Sequence, residues 1–140
     1  MAYSASKGAI DALVPALTLE LAPHNIRCTH LIPGYFRTNI MKPGNIKFDA
    51  QNRLPEYAEM NKQVEAFCYG ADGIQPGDLK KATDIMADIV HGNGVAEGKG
   101  WPERLPLGLD GVEAVRANSK AKLDICDEWE SIVTQTNMVM

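Results

Sequence analysis

Several things are scarce in this chain, and each scarcity removes a class of protein. Basic charge is scarce: 14 lysines and arginines face 18 aspartates and glutamates, a formal net charge of −4, and the pI lies near 5.3. No run of Lys or Arg with interleaved aromatics is present, so nothing supplies a field for a phosphate backbone and nucleic acid is excluded as a partner. Long apolar runs are missing too. No stretch approaches the ~18 uninterrupted apolar residues of a membrane span. The first residues lack a charged leader region and carry Asp11 inside their apolar part, which predicts a soluble, cytoplasmic chain with no membrane partner. Cysteine is limited to Cys28, Cys68 and Cys126, odd in number, far apart and in no C-x-x-C spacing. That suits reduced thiols and excludes a disulfide framework. His24, His30 and His91 are equally dispersed, so no metal site is expected. A Gly-rich phosphate turn is also absent. Gly92, Gly94, Gly98 and Gly100 come nearest, but Glu97 occupies the third glycine place of G-x-G-x-x-G and a helical pattern precedes the segment, which therefore reads as loop.

What is present is an ordinary apolar fraction, 45% of 140 residues, enough for one domain or part of one. Ala5, Ala9, Leu13, Ala16, Leu17 and Leu21 recur at three and four residues, predicting a helix capped by Ser4 and stopped by Pro23. Pro15 lies inside it and predicts a kink, since its ring removes the bond to the carbonyl of Asp11. The stretch IRCTHLI, closed by Pro33-Gly34, reads as a strand buried on both faces, as in a parallel sheet. Residues 42–77 are polar and irregular, with a weak helical pattern through Tyr57, Met60, Val64 and Phe67. Asp78 then caps LKKATDIMADIVH, whose Leu79, Ala82, Ile85, Met86, Ile89 and Val90 form one apolar face. ERLPLG reads as a short strand kept near a sheet edge by its proline, and Asp110 with Glu113 as the capping box of a long last helix. Along that helix Val115, Leu123, Cys126, Trp129 and Val133 share one side. Helix, strand and helix in this order define an α/β protein.

The chemistry sits at the start. Tyr3 and Lys7 are one helical turn apart at a helix amino end, so their side chains reach the same space. An unperturbed tyrosine titrates near pH ~10, and a fixed ammonium within a few ångströms stabilises the tyrosinate and lowers that value. Such a phenol donates a proton to a carbonyl oxygen or takes one from an alcohol. The same spacing also arises by chance on amphipathic helices, and the pair alone does not decide between the two.

The wider stretch YSASKGAIDALVPALTLELAPHNIRCTHLIPGYFRT resembles the core of the classical short-chain dehydrogenase/reductase family: Y-x-[AS]-[AS]-K, a helix of small residues, LELAP, a strand, then Pro-Gly and a threonine four residues after that glycine. QPGDLKKATDIM and RLPLGLDGVEAVRANSKAKLD resemble its closing helices and last strand. The resemblance implies the carboxy-terminal half of a Rossmann-like doubly wound parallel sheet, incomplete, as a single partial domain. Residues 1–41 correspond to the catalytic helix, strand and Pro-Gly turn, 42–77 to the variable substrate loop, and 78–140 to the closing helices and last short strand. It implies an NAD(P)-dependent oxidoreductase acting on a secondary alcohol or ketone, with Tyr3 as acid/base. Lys7 corresponds to the residue that tunes that tyrosine and holds the ribose hydroxyls of the cofactor. Pro33, Gly34 and Phe36 match the turn that holds the nicotinamide carboxamide, and Thr38 the hydroxyl beside it. Read without the resemblance, Pro33-Gly34 simply ends a strand and Thr38 caps the next helix.

The family's first strand, its Gly-rich turn, and the serine and asparagine upstream of its tyrosine have no counterpart in these residues. The sequence therefore predicts a truncated chain that binds NAD or NADP weakly or not at all by itself. At most two parallel strands are expected. An alternative is an inactive remnant or partner subunit, a homo-oligomer or hetero-oligomer with a full-length relative, associating through the helix from Ser4 to Leu21.

Overall fold

The structure is a computed structural model and describes residues 2–48 and 54–138. Its main elements are α1 (Ala2–Leu21), β1 (His30–Pro33), α2 (Ala58–Gly70), α3 (Leu79–His91), β2 (Arg104–Leu107) and α4 (Leu109–Val133), joined by short 3₁₀ turns. The chain forms two compact units, Met1–Gly34 with Glu103–Met140, and Tyr35–Pro102.

The first unit is an α/β layer. β1 and β2 pair in parallel, with His30 opposite Arg104 and Pro33 opposite Leu107. Bonds from His30 N to Glu103 O (2.7 Å) and from Gly34 N to Leu107 O (2.8 Å) extend the ladder at both ends. Both strands of a two-stranded sheet are edges, so Pro106, which has no N–H to give, fits in β2 at little cost. The two expected parallel strands are thus present, but β1 is shorter than IRCTHLI. It starts at His30 and alternates half-buried with exposed residues instead of being covered on both faces. A buried face requires an element packed on each side, and the unit supplies cover on one side only.

The first helix begins at Ala2, so Ser4 lies inside its first turn and is not its cap. Pro15 is accommodated within a continuous helix. In the next turn the Thr18 hydroxyl donates to the carbonyl of Val14 (2.9 Å). The last helix differs from expectation at its start as well. Its N-cap is Gly108, at φ 85°, a left-handed conformation that glycine adopts without strain, and Asp110 stands in the first turn instead of opening a capping box with Glu113. Gly111 is buried there, and an added Cβ would meet Gly34 N at 3.1 Å and Ile32 O at 3.2 Å, so the helix lies backbone to backbone on the end of β1. From Arg116 onward α4 is exposed, including Leu123 and Trp129 of the side expected to be apolar.

The second unit is mostly helix and turn. The pattern through Tyr57, Met60, Val64 and Phe67 does form α2, yet those four side chains are exposed while Asn61, Glu65 and Cys68 are half-buried. Asp78 caps α3 as expected, accepting from Lys80 N (2.9 Å) and Lys81 N (3.2 Å). Ala82 is the buried member of the α3 face, and Leu79 and Val90 at its edges are exposed. The glycine-containing segment after α3 is not wholly loop. Gly92 ends the helix at φ 66°, Asp88 accepts from Val95 N (3.1 Å), and Gly94–Ala96 makes a 3₁₀ turn. Residues 35–37 are held against 75–77 by an isolated parallel bridge between Phe36 and Gly77. Gln75 is buried, and neither atom of its side-chain amide has a partner among the described residues.

Candidate functional site

Tyr3 and Lys7 stand on successive turns at the beginning of α1, both exposed. The Lys7 ammonium lies 5.6 Å from the centroid of the Tyr3 ring, over its face. A cation at that range is attracted by the ring quadrupole, which favours the pairing of the two side chains. The sequence spacing is therefore realised as a spatial pair, with Tyr3 72% exposed and its phenol presented to solvent.

Pro33 and Gly34 lie in the same unit as this pair. Pro33 closes β1, and Gly34 continues the ladder through its own N–H. A side chain at Gly34 would run into the carboxylate of Asp110 at the start of α4, so this position is glycine because the first turn of a helix occupies the space of a Cβ.

Phe36 and Thr38 belong to the second unit. The parallel bridge there uses Tyr35 and Arg37. Gly77 N donates to Tyr35 O (2.9 Å) and Arg37 N donates to Gly77 O (3.0 Å), while the Arg37 guanidinium donates to Gln75 O (3.2 Å). In extended backbone, successive peptide groups point to opposite edges. Phe36's own N–H and C=O are thereby turned away from Gly77, with no partner among the described residues. One donor beside one acceptor matches a primary carboxamide. Thr38 is the N-cap of the Asn39–Met41 turn, its Oγ1 accepting from Ile40 N at 3.4 Å, so the reading of Thr38 as a cap is realised. A hydroxyl that accepts still has its O–H to donate.

One cluster went unread in the sequence. Asp11, one turn beyond Lys7 on a helix row that also holds Tyr3, accepts from the Arg104 guanidinium and pairs with His30 Nδ1 at 3.0 Å. His30 is thus a side-chain hydrogen-bond partner and not merely a packed strand residue. The Arg104 hydrogen bond, more than any other contact, holds the Asp11 carboxyl below its ordinary value of 3.8, with His30 adding to it and burial opposing it. The available signal was a charged residue within an apolar helix and an imidazole within an apolar strand.

Comparison with known proteins agrees with the geometry. The chain is similar to members of the short-chain dehydrogenase family. The family profile, short chain dehydrogenase, matches residues 1–47. A short-chain dehydrogenase of Streptomyces avermitilis has a similar structure over 98% of this chain and 46% of its own, with a TM-score of 0.73 and 29% identity. The 5-keto-D-gluconate 5-reductase of Escherichia coli K12 is 48% identical over 40 residues, 29% of this chain and 16% of that protein. The same enzyme of the Escherichia coli strain O6:H1 matches equally. The chain therefore spans less than half the length of these relatives.

Proposed function

We propose that this chain carries the proton-transfer pair and the nicotinamide end of an NAD(P)-dependent oxidoreductase acting on a secondary alcohol or ketone. The observation that carries the reading is the Tyr3–Lys7 pair, one turn apart with the ammonium over the ring, inside the segment that the family profile matches. In reduction, the Tyr3 phenol gives its proton to the carbonyl oxygen as that oxygen gains charge. In oxidation the tyrosinate takes the proton back from the alcohol. Lys7 orients the phenol and supplies an ammonium for the ribose hydroxyls. The N–H and C=O of Phe36, without a partner among the described residues, suit the cofactor carboxamide, and the Thr38 hydroxyl donates beside it. When bound, the reduced cofactor supplies the hydride.

No G-x-G-x-x-G occurs in the 140 residues, so they hold no turn of that kind for the pyrophosphate. Weak dinucleotide binding by this chain follows. A match over 16% of a reductase does not carry that enzyme's substrate, and the reading stays at the level of alcohol and ketone.

The test is complementation. The chain is coexpressed with the part of the Streptomyces relative that it does not cover, and consumption of reduced cofactor is followed with a panel of ketones. Activity is expected with the native chain and a loss of at least ~100-fold with Tyr3→Phe, which keeps the ring and removes the proton. An unchanged rate in Tyr3→Phe removes the assignment.

A further inference from the structure

We infer that Asp11 is the positioning residue of the Tyr3–Lys7 helix, its one carboxylate tying α1 to both strands so that the pair is held at the level of the Pro33–Gly34 turn. The inference rests on the functional reading above for its catalytic consequence, but its geometry stands apart from it.

His30 and Arg104 are directly opposite in the parallel pair, so their side chains leave the same face of the sheet as neighbours. Asp11 meets both, His30 at 3.0 Å through Nδ1 and Arg104 through its guanidinium. A carboxylate shared by two adjacent strands fixes a helix in two directions. A contact to one strand alone leaves it free to swing about that contact. Asp11 is also the sole acidic residue of α1 before Glu20, and Lys7, one turn before it, is the charged neighbour on its own helix. No second carboxylate in that part of α1 competes for the two partners.

The spacing along the two elements then decides where Tyr3 falls. From Asp11 back to Tyr3 is eight helical residues, about 12 Å. From His30 forward to Gly34 is four extended residues, about 13 Å. The chain turns back between α1 and β1, since the residues that follow Asp11 lead to Leu21 and eight more return it to His30 beside Asp11. Helix and strand therefore run in opposite senses from the clasp, and Tyr3 and Gly34 lie at matching heights. A slip of α1 by one turn, about 5.4 Å, removes that match.

The experiment uses the 140-residue chain with 3-fluorotyrosine in place of its four tyrosines, the Tyr3 line being assigned by its loss in Tyr3→Phe. Asp11→Asn is expected to move the Tyr3 fluorine resonance and to remove proton contacts between α1 and β1. Lys80→Ala, which breaks the exposed Lys80–Asp84 pair (2.7 Å) of α3, is expected to change neither. Because no cofactor or ketone is present, this readout is independent of the reaction. In the complemented protein Asp11→Asn is expected to lower kcat about 10- to 100-fold with KM little changed, since misplacing a proton donor by an ångström has that effect. Should Asp11→Asn fail to fold, Arg104→Gln and His30→Gln each remove one arm of the clasp and are expected to move the same resonance by smaller amounts. A lowered melting temperature with the Tyr3 resonance and the α1–β1 contacts unchanged would overturn the inference and leave Asp11 a stabilising residue only. A moved resonance in a complemented protein without activity would keep the clasp and remove the oxidoreductase reading.

Discussion

Replacing Gly77 by alanine probes the segment that presents Phe36. An ideal Cβ at Gly77 would lie 2.6 Å from Phe36 Cδ1, 2.8 Å from Phe36 Cγ and 2.8 Å from the carbonyl oxygen of Tyr35. The ring can turn aside, but the Tyr35 oxygen is backbone and already bonded to Gly77 N at 2.9 Å. Overpacking of this size costs ~1–3 kcal/mol. If the segments part, the bonds on either side of the bridge add ~1 kcal/mol each. Loss of glycine freedom in the unfolded chain offsets ~0.4–1 kcal/mol. The net expectation is a destabilisation of about 1–3 kcal/mol. Gly8→Ala is the matched control. It lies inside α1 with nothing within 4 Å of an added Cβ, so it is expected to stabilise by ~0.5–1 kcal/mol through helix propensity alone. Urea denaturation followed by circular dichroism for the helical signal and by tyrosine fluorescence measures both. If Gly77→Ala unfolds at the same or higher urea concentration as the native chain while Gly8→Ala shows its gain, the close approach of Phe36 to Gly77 does not exist.

Three further outcomes are expected. Gln75→Met removes a buried amide with both atoms unpaired among the described residues and keeps its length, so thermal melting should show a stabilisation of roughly 1 kcal/mol; a clear loss would mean that the amide has a partner. Asp11 has a depressed folded pKa, so the stability it contributes is complete above 3.8 and lost as the pH falls through its lower folded value; acid titration of α1 by amide exchange should show this step in the native chain and none in Asp11→Asn. Val14, Ala82, Ala96 and Leu107 are the only buried apolar residues among those described, while Leu13, Leu19, Leu123, Ile125 and Trp129 are exposed. The purified chain is therefore expected to self-associate, and sedimentation showing a compact monomer with a cooperative melt would contradict that.

The sequence by itself determined what depends on neighbours a turn or two away. The Asp78 cap needs only the N–H groups of Lys80 and Lys81, and α3 ends at Gly92 because a left-handed residue closes it there. Tyr3 and Lys7 are paired by the pitch of one helix, and the motif that joins them to Pro33-Gly34 and Thr38 is contiguous in the chain, so the likeness to the family was legible. Tertiary structure alone decided the contacts made across long separations. Asp11 meets Arg104 93 residues away, and neither residue type nor local spacing reports which strand will lie beside which helix. Gly34 and Gly77 are glycine because of Asp110 and Phe36, each distant in sequence, and the helix that Asp110 was expected to cap has Gly108 at its N-cap instead. The exposure of α2's apolar row and of α4 beyond Val115 is of the same kind. Periodicity states which residues can share a face, but burial of that face requires a second surface, and the second surface is a property of the assembled fold.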